Sequence, residues 1–417
     1  MSQAEFESVI TKAVSDRVVS GAACVAGRRD GNRAITLVQD IHGFANDEVI
    51  PGTVFYEKAF GKTGAEADAL KMQPDTVVWV ASCTKLLTSI SALQCFERGL
   101  LHLDKPVSEV LAEFNSPDVL TGFDDGGKPI LRKSTRIPTL RQMLTHSSGQ
   151  GYYGMAPLLN RYWSDVLARE PDFANSSVRY SCDLPLLFEP GERWEYGGSI
   201  DWVGKMVERV NGNVKLGEYM KKNIWDVLGM TLTTFRPLEH DDVMSRMGGR
   251  TSRDESGKIT VDSSGWFPIV PDLEDDYGGN GLYTCASDYV KVLMSLLVDD
   301  GKLLKSQTVA EFFKPQLDDG RHITEYLVKG PYSAALLSGL PPDSQFNHAL
   351  GGALVTNVVE GQHERGTMFW GGLPNSFWFI DRVRGVCGIY VSYFFPPGDS
   401  VTQALNTSFQ KFVHASP

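Results

Sequence analysis

Thr76-Val77-Val78-Trp79-Val80-Ala81-Ser82-Cys83-Thr84-Lys85 is the stretch on which the fold turns. Its first half is β-branched, aromatic and apolar, the composition of a buried strand or an extended approach. Beyond it, Leu86, Leu87, Ile90, Leu93 and Phe96 recur at helical spacing, and Gly99 follows as a C-terminal stop. Ser82 is therefore expected in the first turn of a helix. Residues three apart share a helix face, so Lys85 lies against Ser82. The first turn also has unpaired N–H groups and a dipole end that favour negative charge. A hydroxyl there, beside an amine able to take its proton, suits a nucleophile that carries a covalent acyl group. The S-x-x-K pattern is short, and its bland reading is an N-cap serine followed by a solvated lysine.

Outward from this stretch, the two chain ends resemble each other. Phe6, Val9, Ile10 and Ala13 predict an amphipathic helix near residues 3–16. Ala22 to Ala26 and Ala34 to Val38 flank Asp30-Gly31, a hairpin signal. Near the other end, 376–380 and 385–392 read as two strands around Asp381-Arg382-Val383-Arg384, and 400–414 read as a helix with Leu405, Phe409 and Phe412 on one side. The middle is richer in helical patterns and loops, and 300–366 reads as loop-rich. An α+β fold is expected: an antiparallel sheet flanked by N- and C-terminal helices, with a helical region inserted. The expected division is 1–100 with 271–417 as the sheet-bearing region and 101–270 as the mostly helical one, the site lying in the cleft between them.

The bulk numbers exclude whole classes of function. The 417 residues are 42% hydrophobic and 22% charged, ordinary for a globular protein with a large core. A net charge of −11 with no basic block argues against nucleic acid and against an anionic membrane surface. No apolar run reaches about 18 residues, and the start lacks the basic and apolar regions of a signal peptide. Six scattered cysteines without a C-x-x-C pair are expected as reduced thiols, and a cytoplasmic location follows.

Several motifs are decoys. Gly61-Lys62-Thr63 looks like the end of a P-loop, but Tyr56 stands where the first glycine is needed. Lys62-Thr63-Gly64 spells K-T-G on the wrong side of Ser82. His363-Glu364 opens like a zinc helix without the second histidine. No G-x-S-x-G elbow is present.

Three later segments join Ser82 and Lys85: Leu144-Thr145-His146-Ser147-Ser148-Gly149, Pro190-Gly191-Glu192-Arg193-Trp194-Glu195-Tyr196-Gly197-Gly198-Ser199, and Phe369-Trp370-Gly371-Gly372-Leu373-Pro374-Asn375. In this order they resemble the serine β-lactamase-like family, which includes class C β-lactamases, D-Ala-D-Ala carboxypeptidases and family VIII carboxylesterases. Words such as Thr84-Lys85-Leu86-Leu87-Thr88, Glu97-Arg98-Gly99-Leu100 and Asp201-Trp202 make the chain most similar to the lovastatin/simvastatin acyltransferase branch.

The resemblance implies Ser82 as the acylated nucleophile, Lys85 as the amine that helps deprotonate it, and Tyr196 as a proton-shuttling phenol. Either of the last two serves as base only with its pKa of about 10 lowered, and the sequence leaves open which one it is. It also implies that Leu373 N–H completes an oxyanion hole with Ser82 N–H. Gly371 and Gly372 would let substrate approach the strand, with Trp370, Trp79 and Tyr152 lining the site. His146 is expected to hold the loop after it. Two departures stand out: Trp370 replaces the lysine of K-T-G, and Gly198 the asparagine of Y-x-N, so the contacts for a β-lactam are absent.

The implied activity is a serine acyltransferase of secondary metabolism. It takes an acyl group from a thioester or ester, on a small molecule or an acyl carrier protein, and passes it to a small-molecule alcohol or amine. A carboxylesterase or amidase with the same residues is the alternative. A non-catalytic binding protein is the third reading, and the intact Ser82, Lys85 and Tyr196 speak against it. No metal and no organic cofactor is implied.

Overall fold

Seven antiparallel strands drawn from both ends of the chain form one sheet in the computed structural model, which describes residues 1–30, 51–169, 177–265 and 269–416. They are β1 (Gly21–Arg29), β2 (Gly52–Gly61), β3 (Phe346–His348), β4 (Ala353–Val355), β5 (Met368–Gly372), β6 (Ser376–Asp381) and β7 (Val386–Val391). Across the sheet they run β2-β1-β7-β6-β5-β4-β3. The fold is thus α+β, as expected. The strand expected at 34–38 lies outside the described residues; β1 pairs instead with β2 on one side and β7 on the other. The stretch 300–366 is more ordered than its composition suggests. It holds helices Ser306–Phe312, Arg321–Lys329 and Ser333–Leu336 as well as β3 and β4.

Helices cover both faces of the sheet, and the alternation of a strand shows how. Cys387 Sγ lies 3.5 Å from Met294 in helix Ala286–Val298. Its neighbour Gly388 has Phe409 of the C-terminal helix Ser400–Ala415 at the place of a missing Cβ. Successive strand residues point to opposite faces, so the two helices do too. The N-terminal helix Gln3–Ser15, started by a Ser2/Glu5 capping box, joins the C-terminal one: Phe6 stacks on Phe412 at 5.5 Å.

By packing, the chain forms two units. The first is Met1–Thr84, Lys221–Gly265 and Asn280–Pro417, and it contains the sheet. Residues from 221–265 bond into it through the bridges Val77–Met247 and Thr251–Phe394. The second is Lys85–Met220 with Trp266–Gly279. It holds helix Thr84–Glu97 from Lys85 onward, helix Ser199–Val210 and, toward its surface, a two-stranded hairpin, Asp118–Phe123 with Pro129–Lys133. Helix Thr84–Glu97 is buried nearly all round, so its polar residues bond inward: Ser91 Oγ to the Leu87 carbonyl at 2.9 Å and Thr88 Oγ1 to the Gly278 carbonyl at 2.7 Å. Trp202 packs edge-on against Phe114 at 5.6 Å. All six cysteines are buried, and none is joined in a disulfide. Among the described residues, no helix is long and apolar enough to cross a membrane.

Candidate active site

Ser82 occupies a singular place in the chain. From Thr76 to Leu93 every other residue is buried, and Ser82 alone keeps part of its surface open. It sits in a single 3-10 turn, Ala81–Cys83, and not in the first α-turn as its spacing predicts; the α-helix starts at Thr84. The cause is Ala81, whose φ of +43° an α-helix does not admit. Such a conformation costs about 1–3 kcal/mol and persists only where its surroundings impose it. Here they do. Thr84 Oγ1 donates to the Ala81 carbonyl at 2.6 Å and accepts the Leu282 N–H at 3.0 Å, and Tyr289 donates to the Cys83 carbonyl at 2.8 Å. Upstream, Val78–Trp79 pairs with Tyr283–Thr284, and the Trp79 indole N–H donates to the Asn280 carbonyl.

Strand β5 runs against this turn with no clearance. A Cβ on Gly372 would lie 2.1 Å from the Val80 carbonyl oxygen and 3.3 Å from Cys83 Sγ. Close backbone approach, then, explains glycine at 372. At Gly371 a Cβ would meet the Phe377 ring at 2.7 Å. Leu373 follows in the β5–β6 turn, part-buried, and that turn is tied down by Asn375, whose Nδ2 donates to the Phe394 and Pro396 carbonyls. Trp370 and Trp79 are both buried in the same unit, Trp370 opposite Trp378 and 5.9 Å from the His348 ring.

Lys85 and Tyr196 belong to the second unit, and the structure brings them together there. The ammonium of Lys85 lies 4.8 Å from the centre of the Tyr196 ring and 5.3 Å from that of Tyr152. Lys85 is only 5% exposed. It donates to the Gly279 carbonyl at 2.7 Å and to the Tyr152 hydroxyl at 3.2 Å. Tyr152 in turn donates to Asp201 Oδ2 at 3.0 Å, while Asp201 Oδ1 accepts the Gly279 N–H at 2.7 Å. Burial raises the Tyr152 pKa well above that of an ordinary phenol, and the Asp201 charge adds to it, so Tyr152 stays a donor. Burial also raises Asp201, against the opposing pull of Lys85. The residues missed by sequence reasoning are Asp201 and Gly279. Asp201 stands in the first turn of a helix, where acidic residues are common, and nothing local marks it as fully buried.

The loop that presents Tyr196 is fixed from several sides. His146, at φ +55°, accepts the Glu195 N–H on its carbonyl at 2.9 Å and the Gly197 N–H on Nδ1 at 3.4 Å. Trp194 stacks parallel to Tyr196, and Tyr152 meets it edge-on at 5.4 Å. At Gly197 a Cβ would lie 2.2 Å from the Gln150 carbonyl oxygen. At Gly198 it would lie 2.7 Å from Cys182 Sγ, which leaves no room for an asparagine amide.

Glu189, just before this loop, binds Arg132, Ser134 and the Thr135 N–H. Burial works to raise its pKa, but those bonds prevail and lower it to about 2. A carboxylate lowered in the folded state stabilises above its unfolded pKa of about 4.3, and the gain disappears as pH falls toward 2. Glu189→Gln is therefore expected to lower the thermal midpoint at pH 7 and to flatten its decline between about pH 5 and 2. Melting curves across that range check this; parallel curves for the two proteins refute it.

A Beta-lactamase family model matches residues 32–407. ML-236A carboxylate methylbutanoyltransferase mlcH of Penicillium citrinum is 36% identical, over 87% of this chain and 88% of its own. Lovastatin esterase of Penicillium rubens is 35% identical, over 81% and 85%. The unliganded simvastatin synthase LovD of Aspergillus terreus superposes with a TM-score of 0.86 at 32% identity, over 99% of this chain and 98% of that one.

Proposed function

The chain belongs to the Beta-lactamase family, and from that premise we propose that it is a serine acyltransferase of secondary metabolism. Ser82 attacks the carbonyl of a thioester or ester, the donor's thiol or alcohol leaves with a proton, and an acyl-Ser82 ester remains. An alcohol or amine of a small molecule then attacks that ester, takes the acyl group and returns the proton to Ser82. Lys85 and Tyr196 handle the proton in both halves. The N–H groups of Ser82 and Leu373 hold the oxyanion.

The observation that carries this reading is the exposure pattern around Ser82: a lone accessible hydroxyl in a buried, strained turn, one helical turn before a buried amine. Support for transfer comes from the methylbutanoyltransferase and simvastatin synthase relatives. The buried Trp370 and the crowded Gly198 offer neither the cation nor the amide that a β-lactam needs.

Incubating the protein with a short branched acyl thioester tests this. The expected result is one added acyl mass on the intact chain, mapped to the peptide carrying Ser82 and lost on adding an acceptor alcohol. Absence of the adduct, or its appearance on another peptide, overturns the reading. A thioester of a carrier protein and one of a small thiol, compared as donors, show which form is preferred. Hydrolysis with the same residues is the second reading, favoured by the lovastatin esterase relative; it predicts free acid even when acceptor is abundant.

A further inference from the structure

Buried beneath the C-terminal helix, far along β6 from the nucleophile turn, is a set of side chains the acyl chemistry does not use. His363 comes from the turn between β4 and β5, Asp381 ends β6, and His414 lies in the last turn of helix Ser400–Ala415. One nitrogen or oxygen from each lies within 4.8 Å of the others. His414 Nε2 and Asp381 Oδ2 are 3.0 Å apart, and the two imidazole rings stand 4.8 Å apart and perpendicular. The three residues are 2%, 0% and 9% exposed.

From this arrangement we propose that His363, Asp381 and His414 form a binding site for a divalent transition-metal ion, zinc by preference.

Four observations converge on it. First, the Gln410 amide is the polar side chain within reach of the buried His363 imidazole, and it can serve one ring nitrogen at most, so the other is left without a partner among the described residues. The Gln410 amide is shared: its Oε1 accepts from Gln362 and its Nε2 donates to the Ser338 carbonyl, which leaves one N–H to face the imidazole. Leaving a buried imidazole unsatisfied is costly, and a metal ion supplies the missing partner. Second, His414 Nδ1 lies 3.0 Å from the Gln410 carbonyl. Its N–H points there, which turns Nε2 toward Asp381, as a lone pair when the ring is neutral. This is the bond that orients ligating histidines. Third, Asp381 is itself held: Oδ2 accepts the Glu364 N–H at 2.9 Å and Oδ1 the Arg384 N–H at 2.8 Å. A carboxylate facing a nitrogen lone pair needs a positive charge between them. A proton would satisfy His414 and Asp381 but leave a His363 ring nitrogen without a partner, whereas one cation serves all three residues. Fourth, the donor set of two imidazoles and one carboxylate, with a water completing the fourth position, suits zinc and disfavours calcium or magnesium, which take all-oxygen shells. Tetrahedral zinc, with bonds of about 2.0–2.1 Å, places its ligand atoms about 3.3 Å apart, so the widest pair closes by at most about 1.5 Å.

The role is structural. Ser376, whose carbonyl meets Cys83 Sγ, stands at the other end of β6, about 17 Å away by strand rise. Metal here ties the last turn of the C-terminal helix to the sheet, and binding free energy adds to folding free energy.

The test uses the untagged full chain. Metal analysis of the purified protein is expected to find about one zinc per chain. After chelator treatment, added Zn²⁺ should raise the thermal midpoint in a concentration-dependent way. Co²⁺ in its place should give the visible absorption of a four-coordinate site. His363→Gln is expected to lower the zinc content at least tenfold and to abolish both responses, with Ser82 acylation retained. A chain that takes up neither metal overturns the proposal, as does a His363→Gln variant that binds as the parent does. Should that variant misfold, the cobalt spectrum of the parent decides alone: bands of a four-coordinate site support the proposal and their absence sinks it.

Discussion

Ser82→Ala is expected to leave no acyl adduct and to lower kcat/KM for transfer by on the order of 10⁴–10⁶-fold, the range seen when a serine nucleophile is removed. The protein should fold as before. The turn around residue 82 is held by backbone carbonyls of Ala81 and Cys83 bonded to Thr84 and Tyr289, and the missing hydroxyl comes from the one position in 76–93 that is not buried. Equal thermal midpoints for parent and variant, beside the kinetic loss, assign the effect to chemistry. A variant that still turns over within tenfold of the parent eliminates Ser82 as nucleophile.

Lys85→Met is expected to cost about 10²–10⁴-fold in kcat/KM, the usual contribution of a positioned general base. It also has a structural consequence that separates it from Ser82→Ala. Lys85 is the favourable charge near Asp201, which is fully buried. Removing Lys85 leaves the buried Asp201 with only its Tyr152 and Gly279 hydrogen bonds, so the variant is expected to melt at a lower temperature, less whatever protonation of Asp201 relieves. The double variant Lys85→Met with Asp201→Asn removes that charge as well. It should recover thermal stability while staying as inactive as Lys85→Met alone. Stability and activity returning together would mean that Lys85 acts only by neutralising Asp201. The measurements are calorimetric midpoints and steady-state kinetics on the same preparations.

Much of this was legible in the sequence because the relevant signals are local. The apolar run 76–80, the helical spacing after Lys85 and the continuous apolar strands at 376–380 and 385–392 each determine their own structure, and each is found, the last as Val386–Val391. Pairing is another matter. β1 lies beside β7, from the far end of the chain, and no short-range pattern specifies that partner. β3 and β4 span three residues each, and β3 contains Asn347 and His348, so they carry no readable alternation. The hairpin at 118–133 and the association of 221–265 with the sheet unit are likewise products of distant contacts. At the proposed site, Ser82 and Lys85 are marked by the S-x-x-K spacing and Tyr196 by the family resemblance. Asp201 is not, because its partners Tyr152 and Gly279 are 49 and 78 residues away. Ala81 is not either: alanine is the strongest helix former, and only tertiary restraint holds it at a positive φ.

The contact between the Gly372 backbone and the Val80 carbonyl limits how this enzyme can diversify. Any methyl at 372 would push the strand edge off the nucleophile turn, separating the amide of Leu373 from that of Ser82. Saturation mutagenesis at this codon should return glycine among all active clones. New acyl preferences must therefore arise elsewhere, and Leu373 is the natural place: its side chain is part-exposed, and the backbone amide proposed above for the oxyanion survives every replacement but proline.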